Sequence, residues 1–347
     1  MCRTLIAGLV ACSSAVLLSS CASDAAPPTE QSASSFPPGT PGVVFDVTGP
    51  ACGQPPTHPT GLVIDSVNTP SAFGIAVRDD GLTYFTELFN GGVGITSTQT
   101  RTLDGFIPTG QIPTGVAFAP DGATAYVTNQ GSQNVGVIDV ATAQQVSTIF
   151  TLAGSPLVVR VSPDGSRLFV ATASTTVYIV DTRSQQIVGS VEVGFIPNAF
   201  AVHPDGRIIY VSAAASGTVS EVDMFTGTVL RTFTVGGTPQ DMAVTRDGQR
   251  LYVANEAGYL NEIDLPTGQL AATITLAGGA FGIGVTPDDG QAYVSIPSGG
   301  LVQVFNLQAR RLAQTLTVGG TPRRLAFSQQ GHIGAIANES GYVTFVR

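Results

Sequence analysis

Residues 115–129 read GVAFAPDGATAYVTN, which is two short apolar runs joined by the turn Pro120-Asp121-Gly122. Proline presets φ, aspartate tolerates the turn conformation and glycine accepts the left-handed one, so the three residues predict a tight hairpin. Two further apolar runs follow, Val135–Ile138 and Val146–Leu152. The segment therefore predicts one unit of four antiparallel strands.

The same turn recurs along the chain at nearly constant spacing. Its glycine is found at seven positions: Gly81, Gly122, Gly165, Gly206, Gly248, Gly290 and Gly331. The intervals between these glycines are 41, 43, 41, 42, 42 and 41 residues. Four-stranded units that repeat every ~40–45 residues are typical of β-propeller blades. The sequence therefore predicts an all-β protein, a seven-bladed β-propeller of four-stranded antiparallel blades.

The second strand of most units carries a related motif. Its copies are Tyr126–Asn129, Phe169–Thr172, Tyr210–Ser212, Tyr252–Asn255 and Tyr293–Ser295. This pattern resembles the YVTN repeat of the YncE-like seven-bladed β-propellers of bacterial and archaeal surfaces. The resemblance covers about residues 61–347, although the first unit (Tyr84–Glu87) and the last (Ala335–Asn338) depart from the motif. The resemblance implies the same propeller fold. The repeats are also similar to those of seven-bladed lactonase-type propellers.

The last unit is too short to hold four strands. Only 16 residues follow Gly331, so its outer strand is missing. A strand edge left unpaired at the junction of the ring would invite association with other chains. The apolar segment Gly61–Val67, which precedes the first unit, is therefore predicted to complete the last blade and close the ring.

The amino-terminal residues predict export. An uncharged apolar run, Thr4–Leu18, leads to Leu18-Ser19-Ser20-Cys21, which resembles the bacterial lipobox. This resemblance implies a signal peptide at residues 1–20 and lipidation of Cys21; an ordinary secretory signal is the alternative. Residues 21–42 are rich in Ala, Ser and Pro and predict a tether, and residues 43–60 precede the propeller. We expect a lipid-anchored protein of the periplasm or cell surface, with the outer membrane preferred.

Composition excludes several classes of partner and chemistry. The net charge is -9, and all 15 basic residues are arginine, so we expect neither nucleic-acid binding nor lysine chemistry. The membrane would be contacted through the lipid anchor alone, and the propeller is expected to be a monomer. Cys52 is the one cysteine beyond Cys21, and the three histidines are far apart, so no disulfide framework, metal site or catalytic triad is expected. We expect no cofactor, with calcium as an unsupported alternative.

Repetition separates scaffold residues from candidate site residues. A residue type that recurs in most units serves the unit, so the aspartates after the third strands are expected to bind the next turn: Asp139, Asp181, Asp223 and Asp264. A residue that departs from its repeat is a candidate for a site. The middle of the first strand is small in six units, at Ala76, Ala117, Ala201, Ala243, Gly284 and Ala326, whereas the third unit has Arg160.

Other polar residues are predicted at the same mouth of the central channel. Asp241, Arg323 and Arg324 are placed just before first strands, where other units have Gly115 or Gly282, and Glu87, Asn129, Asn255 and Asn338 follow second strands. Together with Arg160 they predict a polar mouth for an anionic or sugar-like ligand or a peptide. The alternative is an internal network of ion pairs and water that fills the channel.

The predicted function is a binding or scaffold module for an envelope protein, a peptide or a small polar ligand. No catalytic residue is assigned. The alternative, implied by the similarity to lactonase-type propellers, is a lactonase-like or lyase-like hydrolase that uses Glu87, Arg160, Asp241, Asn255 and Arg324.

Overall fold

The fold is described by a computed structural model, which covers residues 62–150, 154–328 and 333–347. All of the described residues belong to one compact unit of the chain. The predicted leader, tether and pre-propeller segment, together with Cys21, Cys52 and the turn at Gly331, lie outside the described residues.

The described residues form seven four-stranded antiparallel sheets, which confirms the predicted propeller. Strand β1 (Val63–Asn68) comes first in the chain. Blade 1 is β2 (Ile75–Val77), β3 (Leu82–Glu87), β4 (Gly92–Ser97) and β5 (Gly105–Pro108); blade 2 is β6 (Pro113–Phe118), β7 (Thr124–Asn129), β8 (Asn134–Asp139) and β9 (Gln144–Phe150); blade 3 is β10 (Pro156–Val161), β11 (Arg167–Thr172), β12 (Thr176–Asp181) and β13 (Gln186–Glu192). Blade 4 is β14 (Pro197–Val202), β15 (Ile208–Ala213), β16 (Thr218–Asp223) and β17 (Thr228–Thr234); blade 5 is β18 (Pro239–Val244), β19 (Arg250–Asn255), β20 (Tyr259–Asp264) and β21 (Gln269–Thr275). Blade 6 is β22 (Ile283–Val285), β23 (Gln291–Ile296), β24 (Leu301–Asn306) and β25 (Arg311–Thr317), with a 3-10 turn at Pro297–Gly299; blade 7 is β26 (Pro322–Phe327), β27 (Gly334–Asn338), β28 (Tyr342–Val346) and β1.

The two ends of the propeller meet in blade 7, as predicted. β1 is the outer strand of this blade and pairs antiparallel with β28, with Val67 opposite Val343. Val67 is buried in an apolar cluster that also contains Phe85 of blade 1 and Phe345 of blade 7. The closing strand therefore contributes both a ladder of hydrogen bonds and part of the core between the first and last blades.

The predicted turn glycines have the expected conformation in five blades. Gly81, Gly122, Gly165, Gly206 and Gly248 have φ between 67° and 89°. The prediction is wrong in blade 6, where Asp289 (φ 54°) takes the left-handed position and Gly290 follows it. The amide of Asp289 donates to the carbonyl of Thr286, as the glycine does in the turns of blades 1 to 5. Aspartate tolerates this conformation. The turn of blade 6 therefore lies one residue earlier in the repeat than Gly290 indicates.

The aspartates after the third strands are structural, as predicted. The side-chain Oδ1 of Asp139 accepts a hydrogen bond from the amide of Thr142 at 2.8 Å, and Asp264 accepts one from Thr267 at 2.9 Å. Asp181 and Asp223 likewise accept a hydrogen bond from the amide of the third residue after them. These carboxylates cap the turns that lead into the outer strands.

The hydroxyl residue of the YVTN motif joins neighbouring blades. The Oγ1 of Thr128 accepts a hydrogen bond from the amide of Gly115 at 2.8 Å and donates to the carbonyl of Leu157, in blade 3, at 3.1 Å. Apolar side chains fill the space behind it, where Tyr126 packs against Val159. This hydroxyl therefore ties the innermost strand of blade 2 to that of blade 3.

Among the described residues, no helix has the length and apolar character that a membrane crossing requires.

Candidate functional site

Arg160 occupies the predicted position on the innermost strand of blade 3. It lies opposite Phe169 on the second strand, as Ala117 lies opposite Tyr126 in blade 2 and Ala201 opposite Tyr210 in blade 4. The register therefore confirms that a guanidinium group stands where the equivalent blades have a methyl group.

The innermost strands surround a cavity of about 240 Å³. All seven blades contribute to its lining, and the described charged residues that line it are Arg160, Asp241 and Arg324. The stretches from blades 1 and 2, residues 74–77 and 115–118, carry small or apolar side chains. The cavity is thus apolar on one side and charged on the other.

Arg324 extends across the channel from blade 7. Its Nη1 lies 3.3 Å from Oδ1 of Asp241 in blade 5, and its Nη2 donates to the carbonyl of Asn198 in blade 4 at 2.6 Å. The side chains of Arg324 and Asp241 are 11% and 12% exposed. Among the described residues, Nε of Arg324 has no hydrogen-bond partner. This arginine is therefore largely buried with part of its donor capacity unused.

Arg160 lies within the same cavity. Its Nη2 donates to the carbonyl of Phe200 at 3.1 Å, and no carboxylate of the described residues is recorded within ion-pair distance of it. The side chain is exposed to the cavity, yet protein surrounds it closely, and this burial lowers its pKa. The charge of Asp241 opposes the shift and that of Arg324 adds to it. An arginine remains protonated in such surroundings, so Arg160 keeps its positive charge.

Asp241 is held in place by backbone amides. Its Oδ1 accepts a hydrogen bond from the amide of Met242 at 2.9 Å, and its Oδ2 accepts a longer one from Ile283 in the next blade at 3.4 Å. Among the described residues that line the cavity, Asp241 is therefore the one carboxylate, and it faces two guanidinium groups. The lining carries one net positive charge in a protein whose overall charge is -9.

Arg323 is ion-paired beside the cavity. Its Nε and Nη2 both lie 2.6 Å from Oε2 of Glu339, and its guanidinium group is 5.7 Å from the ring centre of Phe73 and 4.8 Å from that of Phe281. The ring of Phe281 also lies 5.6 Å from the guanidinium of Arg324. Cation–π contacts of this kind hold both arginines in position.

The three asparagines proposed for the mouth hold the linkers between blades. Oδ1 of Asn255 accepts a hydrogen bond from the amide of Thr238 at 2.8 Å, and Oδ1 of Asn338 accepts one from Thr321 at the same distance. Asn129 accepts one from the Thr109 hydroxyl at 3.0 Å. All three are fully buried and are absent from the described lining of the cavity.

Glu87 is also buried outside the lining of the cavity. Its Oε2 accepts a hydrogen bond from the side-chain amide of Asn90 at 2.7 Å. Burial raises the pKa of Glu87, and the hydrogen bond from Asn90 opposes this shift. The geometry therefore brings together Arg160, Asp241 and Arg324, and it leaves Glu87 and the asparagines apart from them.

Sequence reasoning missed Phe73, Phe281 and the two carbonyl acceptors on β14. Phe73 and Phe281 occupy the same place in blades 1 and 6 and pack edge to face with ring centres 5.6 Å apart. Blade 2 has Thr114 at this place, and this difference between blades is the sequence signal that could have identified the two phenylalanines. The described residues contain no group of three His, Cys, Asp or Glu side chains arranged to hold a metal ion.

The fold and the channel place this chain among the seven-bladed β-propellers. The model of the YncE-like β-propeller family matches residues 107–290, more than half of the chain, and the chain belongs to this family.

Two known proteins illustrate the similarity. A seven-bladed β-propeller protein of Mycobacterium tuberculosis is 34% identical over 102 residues, which cover 28% of this chain and 25% of that protein. The match thus spans about a quarter of the length of this curated relative. A chain of hydrazine synthase from Kuenenia stuttgartiensis is 20% identical with a TM-score of 0.75, covering 80% of this chain and 96% of that chain. At this identity the likeness shows the fold alone.

Proposed function

We propose that this protein is a lipid-anchored binding module of the cell envelope, which holds a small polar ligand or a segment of a partner in its central channel. The observation that carries the proposal is the setting of Arg160. It lies in a cavity of about 240 Å³ and, among the described residues, it has a backbone carbonyl as its hydrogen-bond partner rather than a carboxylate.

A purely structural network would pair this arginine more completely. Arg160 is exposed to the cavity and has one backbone carbonyl as its acceptor among the described residues, so its other donors are left for water or a ligand. In this channel one carboxylate, Asp241, serves both Arg160 and Arg324, and its recorded ion pair is with Arg324. The excess of positive charge favours a site that a ligand completes over a network that is complete in itself.

The hydrolase alternative gains no support from this arrangement. Two of its five candidate residues, Glu87 and Asn255, are buried outside the described lining of the cavity. Binding therefore accounts for more of the geometry than hydrolysis does.

We expect the replacement Arg160→Gln to abolish ligand-dependent stabilisation. A thermal-shift screen of the full chain with carboxylates, phosphate, sugars and short peptides should find at least one class that stabilises the unchanged protein. At a ligand concentration of about 100 Kd the stabilisation is about 2.7 kcal/mol. Glutamine removes the positive charge, so the variant should lose this shift.

Arg207→Gln is the matched control for this experiment. Arg207 pairs with Asp223 outside the channel and its side chain is 66% exposed, so this variant should respond as the unchanged protein does. A screen in which no probe stabilises the protein, or an Arg160→Gln variant that keeps the full shift, would count against a channel-binding function.

The lipid anchor is tested separately, because Cys21 lies outside the described residues. We expect the protein, expressed in a Gram-negative host with radioactive palmitate, to take up label and to sediment with membranes. Cys21→Ser should abolish both, since the acyl chains need the thiol of this residue. Cys52→Ser serves as the control and should be labelled normally; label retained by Cys21→Ser would refute the anchor.

A further inference from the structure

The charged groups of the channel converge on one innermost strand. Arg160 from blade 3 donates to the carbonyl of Phe200, and Arg324 from blade 7 donates to that of Asn198. Both carbonyls belong to β14 of blade 4, and Asp241 comes from the adjacent blade 5. In a ring of seven blades, blades 1 and 7 are the farthest from blade 4. The charged side of the cavity is therefore built on blades 4 and 5.

The lining stretches of blades 1 and 2 have a different character. They are Gly74-Ile75-Ala76-Val77 and Gly115-Val116-Ala117-Phe118, which contain no charged or hydroxyl-bearing side chain. Their lining atoms can therefore offer a ligand mainly apolar surface and backbone groups. A ligand that matches the cavity would have a charged group on the side of blade 4 and an apolar body on the side of blades 1 and 2.

The arginines select the kind of charged group. A guanidinium group carries five donors in a planar fork that matches the two oxygens of a carboxylate. Arg160 is exposed to the cavity and, among the described residues, its hydrogen bond is through Nη2, whereas Nε of Arg324 has no partner but is enclosed by protein. Donors of Arg160 are thus available to an anion in the cavity, and Arg324, whose Nη1 lies beside Asp241, adds a second positive charge to the same side.

The size of the cavity limits the ligand. Its volume of about 240 Å³ is below the ~300–1,000 Å³ of pockets for drug-sized ligands. Inorganic phosphate would fill the charged side and leave the apolar side unused, and a sugar would place hydroxyl groups against the apolar side. A compact acid with a short branched body satisfies both sides.

We infer that the channel binds a small carboxylate with a compact apolar body, and that Asp241 competes with this ligand for Arg324. The inference rests on the proposed function and names the ligand class of the same site. Asp241 lies 3.3 Å from Nη1 of Arg324, close to where a ligand carboxylate would have to bind. It offsets part of the positive charge of the site and repels a second carboxylate.

The test uses the full chain, isothermal titration calorimetry and two probes of nearly equal shape, 3-methylbutanoate and 3-methylbutanamide. The acid should bind at least about tenfold more tightly than the amide, because hydrogen bonds to a charged group are the stronger ones. Asp241→Asn should tighten binding of the acid by roughly ten- to a hundredfold, since it removes a like charge from a poorly solvated site. It should leave binding of the amide nearly unchanged.

Asp181→Asn is the matched control, because it makes the same change of charge at a turn outside the described lining of the channel. A second pair of probes, acetyl-Gly-Val with a free or an amidated carboxyl terminus, distinguishes a free acid from the end of a peptide. Tighter binding of the free-terminus peptide than of 3-methylbutanoate would assign the carboxylate to a peptide; the reverse would assign it to a small acid.

The outcomes separate the inference from the proposed function. If the acid binds no better than its amide, or if Asp241→Asn weakens its binding, the inference is wrong. The channel-binding function then still stands, provided that another probe binds and Arg160→Gln abolishes it. If no probe of any class binds, both are wrong. Should Asp241→Asn fail to fold, the comparison of acid with amide in the unchanged protein still decides.

Discussion

Replacing Val67 by aspartate is expected to lower the free energy of unfolding by about 4 kcal/mol. Val67 is 7% exposed and packs with Phe85 and Phe345 in the cluster that joins the first and last blades. The change removes apolar burial, and it places a carboxylate in a cluster that offers it no partner. An uncompensated buried charge costs about 3–5 kcal/mol. Urea unfolding followed by circular dichroism measures the loss, because the chain has no tryptophan to report it by fluorescence.

Val63→Asp is the control for this substitution. Val63 lies on the same strand but is 39% exposed, so the change should cost less than about 1 kcal/mol. If both variants lost the same stability, the effect would come from the strand propensity of β1 and not from its buried side. If neither lost any, β1 would not close the ring in solution. The comparison therefore tests the part of the fold on which the closure depends.

The fold could be predicted because the blades repeat the same turns and strands at a nearly constant spacing. The Pro-Asp-Gly turns, the aspartates after the third strands and the short last unit are local features, and their spacing alone determines the number of blades. The alignment was wrong by one residue in blade 6, because Asp289 takes the left-handed position that glycine occupies elsewhere. A repeat alignment that follows residue type cannot detect such a substitution, whereas the hydrogen bond from the Asp289 amide to Thr286 shows it directly.

The candidate site could be predicted in part. Arg160 was found because a large charged side chain departs from six small ones, and a departure from a repeat needs no knowledge of contacts. Asn129, Asn255 and Asn338 recur at one place in three blades, and their shared role in holding linkers agrees with the rule that recurring residues serve the blade. If the rule had been applied to these asparagines as strictly as to the aspartates, it would have excluded them from the candidate site residues.

The contacts across the channel could not be predicted from the sequence. Arg324 reaches the carbonyl of Asn198, which lies 126 positions away in the chain and on a nearly opposite blade. Such a contact depends on the diameter of the ring and on the path of a long side chain. Neither produces a periodic pattern of residues in the sequence. The role of Phe281 beside two arginines is of the same kind, since the sequence places these residues in different blades.

The replacement Gly282→Ala is expected to destabilise the propeller by about 2–3 kcal/mol. A Cβ atom at this position would lie 2.3 Å from the carbonyl oxygen of Arg323 and 2.9 Å from Cα of Arg324, in the next blade. Both are backbone atoms, so no side chain can rotate away, and the innermost strands of blades 6 and 7 must move apart. Overpacking of this kind typically costs about 1–3 kcal/mol. Urea unfolding measures the difference.

Gly189→Ala provides the comparison, because a Cβ there would meet its nearest atoms at 3.9 Å and 4.0 Å, which is ordinary contact. Its free energy of unfolding should stay within about 1 kcal/mol of the unchanged protein. Equal stability of the two variants would contradict the close approach of blades 6 and 7.

The same substitution links the scaffold to the site. Gly282 donates to the Ser295 hydroxyl at 2.7 Å, and that hydroxyl donates to the Arg323 carbonyl at 2.5 Å, so this glycine helps to set the backbone that carries Arg324. Moving this backbone by a few tenths of an ångström would displace the guanidinium from Asp241 and Asn198. We therefore expect Gly282→Ala to weaken binding of 3-methylbutanoate even at temperatures where it is fully folded. Gly189→Ala should bind it normally, and normal binding by Gly282→Ala would show that the position of Arg324 does not depend on this close approach.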